Sequence, residues 1–425
     1  MVVALVRSAR EPHGFVLLPF AILLFAIAFA PLILRHHWER HYHKLCILLA
    51  AIVCSYYIFG IGVGERVFHA ARDYASFMVA VGSFFIVAGG IHLRVSGAAR
   101  PASNALFLLA GAILANVIGT IGASMLLIRP WITMNRSRFA GLHLAFFIFI
   151  VSNVGGALLP VGPPLFLGFL KGVPFWWSLQ NCWLEWMMTL GALLTAFYFA
   201  DRMNLRGAGI SAVAGEPTRW RCDGIHNFAF LAILLVALIF TPGGWREAIM
   251  TAATFVSYWR TGKEIHDANN FSFAPLKEVG WLFLGIFGTM IPVLDYMELH
   301  AANLGLRSDL QFYWATGVLS GLLDNAPTYL AFLAGAFGLH NIDLDNSQQM
   351  SIFVAQHGRT LAAISLGATF FGALTYIGNG PNLLVKTVAE HARVPTPGFF
   401  GYILKFAIPV LLPILALMSI LFFSR

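Results

Sequence analysis

The residues that could do chemistry are few, and they interrupt stretches that would otherwise make good membrane helices. Residues 372–388 read GALTYIGNGPNLLVKTV, with two glycines, a proline and two asparagines packed into 378–382. Residues 156–169, GALLPVGPPLFLGF, nearly repeat it. Laying Gly372-Ala373-Leu374 on Gly156-Ala157-Leu158 puts Gly378 on Gly162, and Pro381 on Pro164 once the residue opposite Asn379 is skipped. Two interrupted helices in matching positions of two halves point to the binding site of a transporter. At such breaks, half-helix N-termini offer N–H donors to anions, while unwound carbonyls and C-terminal ends coordinate cations. Asn153, Asn379 and Asn382 add neutral oxygens suited to a hard cation such as sodium. Each would equally serve as an interhelical hydrogen bond; taken together, beside glycines, they read as a site.

Asp324 is the one acid in the middle of the apolar segment 309–340, followed by Asn325 and Thr328. A carboxylate at membrane depth is costly unless paired or functional. A proton and a sodium ion can compete for it, which is the simplest physics of proton-coupled exchange. The same residue could cap a half-helix from its N-terminal end. The counterpart segment is 105–138: laying Gly122-Ala123-Ser124 on Ala326-Pro327-Thr328 puts Thr120 opposite Asp324, with Asn116 and Ser124 nearby. Each segment reads either as one kinked span or as a re-entrant hairpin of two half-helices. Irregular backbone at that depth is tolerated only where protein or water satisfies it. Glu185 lies mid-span, where it meets a headgroup or a partner such as Arg138. Lys386 is one turn beyond Asn382; it could neutralise a bound anion, repel a released cation, or snorkel to the interface.

The elements that position these residues follow from composition. Of 425 residues, 59% are hydrophobic and 11% charged, against about 25% charged in soluble domains. Apolar runs of spanning length recur, so the expected fold is an all-α polytopic membrane protein of about ten spans plus two hairpins. The net charge of +8 belongs to loops between apolar runs, as the positive-inside rule expects, and not to nucleic-acid binding. Spans are expected at 15–34, 45–63, 75–93, 176–199, 228–240, 244–259, 279–297 and 399–423, with the broken helices in 139–175 and 351–392. Residues 35–44, RHHWERHYHK, read as a basic interfacial loop, since no carboxylate or cysteine pattern completes a metal-ligand set. Residues 200–226 form the longest polar loop. The four cysteines make no CxxC pair, so neither a disulfide framework nor a zinc site is indicated.

The chain divides into N-terminal scaffold spans (1–104), a first core (105–200), a cytoplasmic loop with linking spans (201–308) and a second core (309–425). With loop 200–226 inside and each hairpin returning to the side it entered, loops 129–138 and 260–277 fall inside and 341–349 outside. The halves then have opposite orientation, an inverted repeat. The inversion depends on 244–259 crossing.

The motifs SNVGGALLPVG (152–162), LLDNAPTYL (322–330) and YIGNGPNLLVK (376–386) resemble the ion transporter superfamily, in its bacterial citrate transporter or D-type sodium/proton antiporter branch. The likeness covers roughly 105–200 and 309–423. It implies two inverted repeats, each with a re-entrant hairpin and a discontinuous helix. By position, Ser152, Asn153, Gly155 and Gly156 form the first break, Gly378, Asn379, Pro381 and Asn382 the second, and Asp324, Asn325 and Thr328 a hairpin tip. The expected sodium ligands are Asp324, Asn153 and Asn379. One departure stands out. Antiporter relatives carry an acid after the glycine of the first break, as Gly-Asp-Pro-Pro, where this chain has Gly162-Pro163-Pro164. A first half without acids weakens cation coupling and favours an anionic substrate.

The leading expectation is sodium/proton antiport by alternating access across a bacterial inner membrane, with sodium and protons as coupling ions and no other cofactor. The alternative is a proton- or sodium-coupled carrier of citrate or another small anion. HExxH and GxSxG motifs are absent, and so is GxxxxGK[ST], which argues against an enzyme and against a self-contained ATP-driven pump. The expected partners are the lipid bilayer, the small ion or carboxylate substrate and, by analogy with the superfamily, a second copy of the chain.

Overall fold

A computed structural model describes residues 11–96, 100–207, 219–340, 342 and 346–424. The chain is a mostly helical, multi-pass membrane protein. Among the described residues, seven helices are long and apolar enough to cross a membrane, and large apolar side chains such as Phe25, Phe59, Trp259 and Phe400 lie exposed on the outside. In water such a surface would aggregate; in lipid it is the solvated face. Six of the seven fall on expected spans and the seventh, Pro101–Asn135, on the first segment expected to kink or turn, so four of the ten expected spans are not among them. Each broken helix splits into short pieces, and His226–Phe240 and Trp245–Arg260 stop at 15 and 16 residues.

The N-terminal helices Leu18–Ile33, Arg35–Ser55 and Gly64–Gly89 pack with Ala274–Leu299 into a scaffold beside the two cores. The expected loop 35–44 is helical, since Arg35–Ser55 contains no glycine or proline to stop it. The fold is also not purely α. His92–Ser96 pairs antiparallel with Arg219–Asp223, Arg94 opposite Arg221, and Arg94 reaches the Asp223 carboxylate at 3.0 Å. The polar loop is therefore partly built: helix Trp177–Gly207 runs into it and the strand ends it, while 208–218 lie outside the described residues. Of the expected external loop 341–349, residues 341 and 343–345 lie outside them as well.

Helix Pro101–Asn135 would be about 50 Å long if straight, at about 1.5 Å per residue. It is not straight. Gly119 has φ 75° and ψ 160°, a conformation that L side chains rarely adopt. The chain doubles back there. The Asn104 side-chain amide donates to the Asn135 side-chain oxygen at 2.7 Å, and Phe107 stacks on Trp131 with ring centroids 5.4 Å apart. Residues 309–340 do the same. Helix Asp309–Leu322 ends, residues 323–324 are extended, and Asn325–Leu339 follows. Asp309 accepts from Thr360 Oγ1, and His340 at the far end of the segment stacks on His357 with centroids 3.5 Å apart. Both ends thus lie beside the start of helix Gly358–Phe371.

The packing recurs between halves. Val151 presses on Gly111, Gly155 on Ala112, and Asn116 accepts from the Leu158 N–H. In the second half Gly367 packs on Tyr313 and Thr316, Phe371 on Gly317, and Leu374 on Gly321. The outgoing half-helices are exchanged: Pro163–Leu170 packs on Asn325–Leu339, with Gly168 against Tyr329, while Gly380–His391 packs on Pro101–Asn135.

Candidate ion and substrate site

Helix Gly141–Ile150 stops before residue 151, a single 3-10 turn follows at Val154–Gly156, and α-helix resumes at Pro163–Leu170. Gly162 as N-cap followed by two prolines is a natural restart, since the first-turn N–H groups that proline lacks have no helical partner anyway. In the second half Gly358–Phe371 stops, 372–379 are non-helical, and Gly380–His391 restarts with Pro381 in its first turn. Pro381 and Asn382 therefore belong to the first turn of the outgoing half-helix and not to the unwound stretch, a correction of one turn. Glycine admits the close approach at the first break. A Cβ on Gly155 would lie 2.6 Å from the Ile150 carbonyl oxygen and 2.7 Å from Ala112 Cα, both backbone atoms.

The two breaks touch through asparagines. Asn153 donates to the Asn382 side-chain oxygen at 2.8 Å and to the Ile148 carbonyl at 2.9 Å. Asn379 donates to the Asn153 side-chain oxygen at 3.0 Å and to the Ser152 carbonyl at 3.3 Å. Asn382 donates to the carbonyls of Gly372 and Thr375, at 2.8 and 3.0 Å. Ser152, Asn153, Asn379 and Asn382 are all buried. Ser124 and Ser152 share a hydroxyl hydrogen bond of 2.8 Å, bringing in the turned segment 101–135. Thr120 packs on Gly156, and its buried hydroxyl has no hydrogen-bond partner among the described residues. Asn116 is occupied by Leu158 N–H. Gly378 packs on the Gly321 carbonyl, and its N–H donates to Thr375 Oγ1 at 2.9 Å.

The remaining candidates lie differently. Asp324 accepts from the Ala326 N–H at 3.0 Å and so caps helix Asn325–Leu339, and Thr328 Oγ1 donates back to the Asp324 carbonyl at 2.9 Å. Asn325 accepts from Ser320 and meets Gly372. Glu185 does not meet Arg138. That guanidinium is taken by the buried Asp201, which also accepts from Asn104 at 2.9 Å and lies 3.1 Å from His143 Nε2. Lys386 pairs with Glu390 and lies 4.8 Å from the Tyr376 ring centroid.

Several residues that hold the site carry no mark in the sequence. Trp186 Nε1 donates to the Gly155 carbonyl at 3.2 Å, and Thr375 Oγ1 to the Gly321 carbonyl at 2.9 Å. Asp201 falls within the stretch expected to be a polar loop. A signal for it exists: Leu193, Phe197 and Asp201 follow one another at helical spacing, and all three are buried.

Long apolar helices around a buried polar meeting point of two broken helices mark a membrane transporter. The chain belongs to the family described as putative citrate transport, whose model matches residues 10–423. No curated protein matches the chain.

Proposed function

We propose that the protein is a secondary transporter of the bacterial inner membrane that moves citrate or another small carboxylate, coupled to sodium or protons. The observation that carries this reading is the direct bond between the two breaks, Asn153 to Asn382 and Asn379 to Asn153. A site shared between two discontinuous segments can be opened to either side by moving one segment against the other. In this reading 101–135 and 309–340 are re-entrant hairpins and the halves are inverted repeats; the recurring contacts and the exchanged half-helices support it. Family membership and the lack of an acid at Gly162-Pro163-Pro164 favour an anion as cargo over bare sodium.

Asp324 is the coupling carboxylate of the proposal, because it sits at the turn of the second hairpin and can exchange a proton for sodium. Asn153 and Asn379 supply neutral sodium ligands. The protein acts as a carrier and not as an enzyme, and a homodimer is its working assembly by analogy alone.

The test is uptake of labelled citrate into proteoliposomes under an imposed sodium or proton gradient, with a pH-sensitive dye reporting proton exit on sodium addition. Gradient-driven citrate uptake is expected. A sodium-dependent collapse of the pH gradient without citrate uptake would instead establish antiport. Asp324→Asn is expected to abolish coupled transport while leaving the thermal midpoint unchanged, because asparagine caps a helix as well as aspartate does. Wild-type turnover in that variant would remove the carboxylate from the mechanism.

A further inference from the structure

We propose that Lys386 is the specificity residue for the carboxylate cargo, and that Glu390 is a resident carboxylate which occupies it until cargo arrives. The inference rests on the carrier reading above.

Lys386 lies one turn after Asn382 on helix Gly380–His391, so the two share a face. Asn382 is the residue that bonds across to the first break. The Lys386 ammonium lies 4.8 Å from the centre of the Tyr376 ring, and Tyr376 belongs to the second break itself. The lysine is therefore placed at the break by both its helix and its ring partner. Four other cations of the cores are committed elsewhere. Lys171 pairs with Asp73, Arg129 with the Asn269 carbonyl, Arg138 with Asp201, and Arg359 with the Phe422 carbonyl.

The Lys386–Glu390 pair is not one that helix stability would select. A glutamate four residues before a lysine supports a helix better than the reverse order found here. Glu390 also falls in the last turn, where a negative charge opposes the helix dipole. Its side chain is 39% exposed against 14% for Lys386, so the acid can turn away into solvent while the ammonium stays. A cargo carboxylate entering beside Tyr376 would take the place of Glu390 on the same ammonium. The exchange conserves charge pairing, so the lysine is never left bare.

The test is citrate uptake kinetics in proteoliposomes for the wild type, Lys386→Gln, Lys386→Arg and Glu390→Gln. Lys386→Gln should raise KM at least tenfold with a smaller change in kcat, and Lys386→Arg should restore most of the loss. Glu390→Gln should lower KM severalfold, because the internal competitor is gone. An unchanged KM in Lys386→Gln overturns the assignment, and so does a rise in KM for Glu390→Gln that matches Lys386→Gln. A wild-type protein that moves no carboxylate overturns the carrier reading and this inference together, and that result is separately visible because it appears before any variant is compared.

Discussion

At the scale of single residues, the site is a closed exchange of amide hydrogen bonds. Asn153 and Asn382 each make three side-chain bonds; the Asn382 oxygen receives Asn153, and its NH2 group satisfies the carbonyls of Gly372 and Thr375. These carbonyls come from unwound backbone, where no helical partner exists to take them. Asn382→Ala should therefore strand two acceptors and one donor in a buried place. Each unmet group costs about 1–3 kcal/mol, although some of that is recovered where cargo or water enters. The expected outcome is a clear fall in the thermal midpoint in detergent together with loss of transport. A variant with wild-type values for both would show that the bridge between the breaks carries neither role. That these asparagines matter was legible in the sequence, because amides, glycines and prolines seldom gather inside an apolar run unless the helix breaks there. Their partners were not. Asn153 is joined to Asn382 across 229 positions, and no local pattern encodes such a pairing.

At the scale of elements, the two cores differ at their bases. In the first, one buried carboxylate gathers four pieces of chain: Asn104 and, through it, Asn135 from the two arms, Arg138 beyond them, and His143 at the start of the broken helix. In the second, the corresponding base is held by Asp309 on Thr360 and by Arg359, more than half exposed, at 3.8 Å from Asp309. Burial decides the energetics. Removing one member of a buried pair leaves the other charge desolvated, at about 3–5 kcal/mol; an exposed pair is worth about 0–1 kcal/mol. Asp201→Asn should thus destabilise the protein severely in a chemical-denaturation series, and Asp309→Asn hardly at all. Equal effects would refute the asymmetry. The sequence revealed the interrupted segments, since Gly162 and Pro381 are local punctuation, and left 105–138 and 309–340 open between a kinked span and a hairpin. Residues 35–44 look like a loop by polarity, yet they hold no helix breaker, and the helix runs through them. The strand pair is hidden because 92–96 and 219–223 meet only after four intervening helices, from Pro101–Asn135 to Trp177–Gly207, have packed.

At the scale of the whole molecule, the proposal requires the two cores to run in opposite directions through the bilayer. The bases of the turned segments mark the two sides. Ser137 follows the first, and Gln348 lies just past the second; both are exposed. If the halves are inverted, these two residues face opposite compartments. The proposal puts Ser137 on the cytoplasmic side by the positive-inside rule, because Arg136 and Arg138 flank it whereas no lysine or arginine occurs in 341–349. The experiment begins with a version lacking Cys46, Cys54, Cys182 and Cys222, into which Ser137→Cys or Gln348→Cys is introduced singly. In intact cells a membrane-impermeant maleimide should label only the Gln348→Cys protein, and in inverted vesicles only the Ser137→Cys protein. Transport by each variant would confirm that the labelled form is the working one. Labelling of both from the same side would mean that helix Trp245–Arg260, with only 16 residues and Arg246 and Glu247 in its first turn, does not complete a crossing. The cores would then be parallel copies, and the two broken helices could not present opposite faces of one site to the two sides of the membrane.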